Sequence, residues 1–79
     1  MWTVSVESSL SGETSVFGPF KSKNEAHRWS VNTMNSLSAE LEWDEPNLEG
    51  MFVEDTGGND VIQFNICQMI PGSQWKGNI

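Results

Sequence analysis

The 79-residue chain has one cysteine, Cys67, and one histidine, His27. A single thiol cannot close an internal disulfide, and small secreted domains usually depend on such staples, so the composition points to the cytoplasm. No apolar run approaches the roughly 18 residues of a membrane span. The opening MWTVSVESS has neither the basic n-region nor the apolar h-region of a signal peptide, so neither export nor insertion is expected. Basic residues are equally scarce: four Lys and Arg stand against eleven Asp and Glu, a net charge of −7. Contacts to phosphate are made by Lys and Arg, which argues against direct nucleic-acid binding.

At 37% hydrophobic, with four Trp, four Phe and four Met, the chain has apolar mass for one two-layer core. A chain this short buries only about 60% of the surface its unfolded form exposes, so its stability is expected to be marginal. Residues 1–73 read as a single domain and 74–79 as a flexible tail. The charge is unevenly placed. Glu40, Glu42, Asp44, Glu45, Glu49, Glu54, Asp55 and Asp60 follow one another without an intervening Lys or Arg. Elsewhere Glu7, Glu13 and Glu25 are balanced by Lys21, Lys23, Arg28 and Lys76. A basic protein surface is the natural complement of such a segment.

Trp2, Val4 and Val6 alternate with Thr3, Ser5 and Glu7, the period of a strand with one buried face. The Ser9–Glu13 cluster contains Gly12 and predicts a turn, after which Thr14–Phe17 resumes a strand that Gly18-Pro19 should end. Ser22-Lys23-Asn24-Glu25 fits a capping box, with the Ser22 hydroxyl accepting from the Glu25 N–H and the Glu25 carboxylate returning to the Ser22 N–H. Ala26, Trp29, Thr33, Met34, Leu37 and Leu41 then form one helical stripe, opposite Arg28, Asn32, Asn35 and Glu42. Glu45 precedes Pro46, so the helix should stop near Trp43 or before. Met51–Glu54 and Val61–Ile70 read as two more strands, with Ile62, Phe64, Ile66 and Ile70 on one face. The predicted fold is α+β, an antiparallel sheet of about four strands (ββαββ) with one helix packed on one face.

Between the last two strands lies Val53-Glu54-Asp55-Thr56-Gly57-Gly58-Asn59-Asp60-Val61. Its Asp-Thr-Gly resembles the catalytic loop of aspartic proteases, which need two carboxylates sharing a proton and hence a dimer at this length. That loop has an apolar residue before Asp and Ala or Ser after Gly, whereas Glu54 and Gly58 stand there. Gly57, Gly58 and Asn59 are residues that accept positive φ, so a hairpin turn is the stronger reading. A calcium loop of EF-hand type would need Glu where Ile66 stands. Cys67 and His27 cannot make a zinc site, and a catalytic pair would require a helix residue off the apolar stripe to reach a strand. Neither a Gly-rich phosphate cradle nor a Gly-x-Ser-x-Gly elbow is present. No enzyme activity, cofactor or metal is expected.

Four tryptophans are many for 8.8 kDa. Trp2 and Trp29 fall on predicted buried faces. Trp43 stands within Glu40-Leu41-Glu42-Trp43-Asp44-Glu45, where it either closes the end of the core or anchors a partner, as Trp does at interface hot spots. The candidate partner-binding residues are Glu40, Glu42, Trp43, Asp44, Glu45, Glu49, Glu54 and Asp55.

Gly18-Pro19-Phe20-Lys21-Ser22-Lys23-Asn24-Glu25-Ala26 is similar to the strand-to-helix step of SPOR peptidoglycan-binding domains, which repeat a βαβ unit and are exported. This chain shows one helix and no signal peptide. Trp2-Thr3-Val4-Ser5-Val6-Glu7-Ser8-Ser9, a hairpin, and then Glu25-Ala26 on a helix resembles small bacteriophage proteins that inhibit host RNA polymerase, over about the first 35 residues. The later strands do not match that family, so its contact residues do not carry over. The resemblance implies a class: compact, non-catalytic, phage-type inhibitors, anti-restriction and anti-CRISPR proteins among them, that act as DNA mimics. Such a protein would occlude the basic face of a nucleic-acid-binding protein in the host cytoplasm. An assembly module that forms a homodimer or larger homo-oligomer through its sheet is the alternative.

Overall fold

The computed structural model describes residues 1–69. Strands β1 (Trp2–Ser8) and β2 (Thr14–Phe20) form a hairpin, helix α1 (Lys23–Leu41) follows, and β3 (Phe52–Glu54) and β4 (Val61–Gln68) form a second hairpin. All pairings are antiparallel and the sheet order is β2-β1-β4-β3. The α+β architecture and the ββαββ order are those expected from the sequence. Because β2 and β3 are the two edges, the connection between them must cross three strand spacings, about 14 Å. Nineteen helical residues rise about 28 Å, enough to cross diagonally over one face. No helix among the described residues is long and apolar enough to cross a membrane.

The alternation seen in the sequence sets the two faces of the sheet. Val4, Ile62, Phe64 and Val53 are buried beneath the helix with Ala26 and Met34, and Trp2, Val6, Phe20, Trp29, Leu37 and Ile66 pack around them. Trp29 joins the layers, its ring centroid 4.9 Å from Phe17, 5.7 Å from Phe20 and 6.2 Å from Phe64. Thr3, Ser5, Glu7, Gln63 and Asn65, one residue out of phase, belong to the opposite face. Ile70 and the tail expected over 74–79 lie outside the described residues.

Several local expectations are corrected. β2 does not end at Gly18-Pro19 but continues to Phe20 through a register shift opposite Trp2 and Val4. Proline is tolerated because β2 is an edge strand, with no ladder to feed on its outer side. Gly18, at φ 132, lies where an added Cβ would meet the Trp2 carbonyl at 3.0 Å, so only glycine fits the shift. The Ser22 hydroxyl accepts from the Glu25 N–H at 3.1 Å, as the capping box requires. The return bond differs, since the Glu25 carboxylate takes the Lys21 N–H at 3.1 Å. At β3, Met51 has φ 57, which breaks the extended conformation and shortens the strand to three residues.

The buried row of the helix is Ala26, Ser30, Met34 and Ser38, at intervals of four. Thr33 and Leu37 flank it, while Leu41, assigned by periodicity to the core, is 38% exposed. Two serines occupy core positions because each hydroxyl is satisfied locally. Ser30 Oγ donates to the Ala26 carbonyl at 2.8 Å and Ser38 Oγ to the Asp44 carbonyl at 2.7 Å.

Candidate functional site

The acidic segment begins where α1 ends. Glu42 is left-handed (φ 56, ψ 41), its N–H reaching the Ala39 carbonyl at 3.4 Å, and the Trp43 N–H reaches the Ser38 carbonyl at 3.0 Å. This pair of bonds satisfies the last carbonyls as a glycine-terminated helix usually does, but with glutamate at the left-handed position. Only glycine adopts that conformation freely, and other residues lose about 1–2 kcal/mol there. Glu42→Gly should therefore raise stability by about 1 kcal/mol, since it relieves the strain and removes a carboxylate from the negative end of the helix dipole. A denaturant melt checks it, and a lowered midpoint would contradict the strain assignment.

From that cap the chain turns through Asp44 and Glu45 to Pro46. Asn47 then bridges to Phe52, its N–H donating to the Phe52 carbonyl at 2.9 Å and the Phe52 N–H returning at 3.2 Å. The turn inside this bridge carries Leu48 and Glu49, and is closed by the Gly50 N–H donating to Asn47 Oδ1 at 2.8 Å. Gln63 Nε2, from β4, donates to the Gly50 carbonyl at 2.9 Å, tying the turn to the sheet. Glu54 ends β3 at the edge. Glu40, Glu42, Asp44, Glu45, Glu49 and Glu54 are all exposed.

Asp55 and Asp60 are half-buried and committed to the turn. Asp55 Oδ1 accepts the Asn59 N–H at 2.7 Å, the Gly58 N–H donates to the Asp55 carbonyl at 2.9 Å, and the Asp55 N–H reaches the Asp60 carbonyl at 2.9 Å. Gly58 supplies φ 72. Asp60 Oδ1 accepts from Ser9 Oγ at 3.0 Å, and that oxygen accepts the Val61 N–H at 2.9 Å. The Asp-Thr-Gly segment is thus the β3–β4 hairpin turn. Of the eight expected partner-binding residues, Asp55 is the one whose carboxylate already holds structure.

Trp43 has a divided position. It is half-buried against the core, and its carbonyl accepts from Ser38 Oγ at 3.3 Å. The exposed apolar side chains among the acids are instead Leu41 and Leu48, at 38% and 48%. Periodicity had placed Leu41 inside, but it is the last residue of α1, just before the left-handed Glu42, and its side chain is exposed.

Charge is segregated over the fold. Lys21, Lys23 and Arg28 gather at the β2–α1 corner, where Lys23 Nζ lies 5.8 Å from the Trp2 ring. Apart from Glu25, in the first turn of α1, the acids occupy the helix C-terminus, the β3 edge and the sheet end that carries both hairpin turns, where Glu7 and Glu13 join them. A shallow depression of about 260 Å³ lies at that end beside Glu7, Ser9, Glu13 and Gln63, below the usual size of a small-molecule site. Another, of about 350 Å³, lies on the outer helix face between His27, Arg28 and Val31. No three His, Cys, Asp or Glu side chains among the described residues are grouped to hold a metal. His27 and Cys67 are both exposed, one on the outer side of the helix and the other on the sheet face away from it, so they do not meet.

No protein-family model, no curated protein and no solved structure matches this chain.

Proposed function

We propose that this protein is a small acidic, non-catalytic inhibitor of the phage type that occludes a basic nucleic-acid-binding surface of a host protein. The observation that carries the reading is the run of six exposed carboxylates from Glu40 to Glu54 without a base among them. Their placement works against the stability of the fold. Glu40 and Glu42 sit at the negative end of the helix dipole, where Lys or Arg would be favoured, and Glu42 takes a backbone conformation that suits glycine. Charge kept where it costs stability is charge used for something else. Duplex DNA carries one negative charge per roughly 1.7 Å of axis, and a dense carboxylate surface competes for the same Lys and Arg side chains. Leu41, Leu48 and the exposed part of Trp43 add apolar contact among the charges, as at interface hot spots.

The test is capture from host lysate on the immobilised protein, with duplex DNA as competitor and salt raised from about 50 to 200 mM. Captured proteins should be nucleic-acid-binding proteins, displaced by DNA and released by salt. Capture indifferent to both would overturn the reading.

A further inference from the structure

We propose that two copies of this chain associate through the outer edge of β2, in an antiparallel register centred on Ser15, to form a continuous eight-stranded sheet. The inference is independent of the acidic surface and rests on the hydrogen-bond phase of the β1–β2 ladder. In β1 and its continuation, Met1 and Ser9 bond towards β4, the Met69 N–H donating to the Met1 carbonyl at 2.7 Å and the Ser9 N–H to the Val61 carbonyl at 3.0 Å. Ser8, out of phase with them, bonds towards β2, its N–H donating to the Glu13 carbonyl at 3.2 Å. Backbone groups alternate sides along a strand, so Val6 and Val4 also turn to β2 and exchange bonds with their partners Ser15 and Phe17. Thr14 and Val16 are then left with N–H and C=O directed outwards from the edge of the sheet.

Two outward pairs on alternate residues are what a further strand needs. Sheet proteins normally protect such an edge with charges, proline or a bulge. Here Pro19 and the register shift protect only the last part of β2, and Thr14-Ser15-Val16-Phe17 contains no charged residue. Val16 is 65% exposed and Phe17 42%. The other edge is protected differently: β3 has three residues, ends in Glu54, and Asn47 already bridges to Phe52.

The occupant that suits the β2 edge is a second copy. With Ser15 on a two-fold axis, Thr14 of each chain exchanges both bonds with Val16 of the other, making four hydrogen bonds from one self-complementary neutral strand. The run of acids from Glu40 to Glu54 ends at the β3 edge, across the sheet from the contact, whereas Glu7 and Glu13 flank the contact, Glu13 preceding Thr14 and Glu7 pairing with it. Raised salt should strengthen this association by screening what repulsion remains, whereas salt weakens capture of a basic partner.

The test is sedimentation equilibrium over a concentration series, at low and high salt, for the wild type and Val16→Pro. Proline at 16 removes an N–H that the isolated fold does not use, so the variant should stay folded and remain monomeric where the wild type is dimeric. A second measurement covers the event that proline disturbs the fold. Ser15 would face its own copy as a non-hydrogen-bonded pair, with Cα atoms about 4.5 Å apart, within disulfide range. Ser15→Cys in a Cys67→Ser background should oxidise to a cross-linked dimer, whereas Asn65→Cys in that background should not. A wild type that is monomeric at every concentration, a dimer that survives Val16→Pro, or equal cross-linking at 15 and 65 would each overturn the proposal.

Discussion

Phe64→Ala is expected to abolish cooperative folding. Phe64 is 1% exposed on β4, a central strand, and its ring meets Trp29 from the helix above. Truncating a buried phenylalanine costs about 3–5 kcal/mol, from lost transfer free energy and from the cavity left behind. A domain this small, whose one cysteine cannot close an internal disulfide, rarely has more than about 3–5 kcal/mol in total. Trp29 would also lose one of its three ring partners in the sheet, keeping Phe17 and Phe20 of the edge strand β2. Thermal unfolding followed by circular dichroism should show no transition, or a midpoint far below that of the wild type. An unchanged midpoint would mean that the helix-facing side of β4 is not the core.

Reversal of Glu42, Asp44 and Glu45 to Lys is expected to eliminate partner binding without lowering stability. Each reversal changes the charge by two, taking the chain from −7 to −1. At the helix C-terminus the change from carboxylate to ammonium is favourable, by about 0.3–1 kcal/mol per group near the last turn at low ionic strength. The three side chains are exposed and have no buried contact to lose. Trp43 is left in place because its ring packs on the core, so truncating it would lower stability together with affinity. Binding to the captured partner is measured beside the melting curve of the same sample. Full binding by a folded triple variant would show that the acids are a solvated surface, and loss of binding through unfolding would show that they support the fold.

What was legible in the sequence is what local chemistry settles. A period of two puts Val4 and Val6 on one side of a strand whatever the strand's neighbours are. Ser22 can cap a helix with its own hydroxyl, and Gly57-Gly58-Asn59 can turn because two of the three residues have no Cβ. Those signals were enough to place the five elements and to read Asp55 as a turn residue. They failed where the deciding partner was distant in the chain. Gly18-Pro19 does not stop β2 because β2 lies at an edge, and edge position belongs to the assembled sheet. Leu41 is exposed at the end of the helix, and Ser38 is buried because the chain returns over it through Asp44.

The same division holds for the candidate site. By itself the sequence determined that eight acids occur together and that no base neutralises them within their segment, since charge and order along a chain need no folding to be known. Only the tertiary structure decided that Asp55 and Asp60 are engaged in the hairpin while six other carboxylates remain free at the surface, that Trp43 is shared with the core, and that β2 and the acid-ended β3 are opposite edges of the sheet. These outcomes rest on long-range packing and on the pairing of every backbone donor and acceptor, which are properties of the whole sheet rather than of any segment within it.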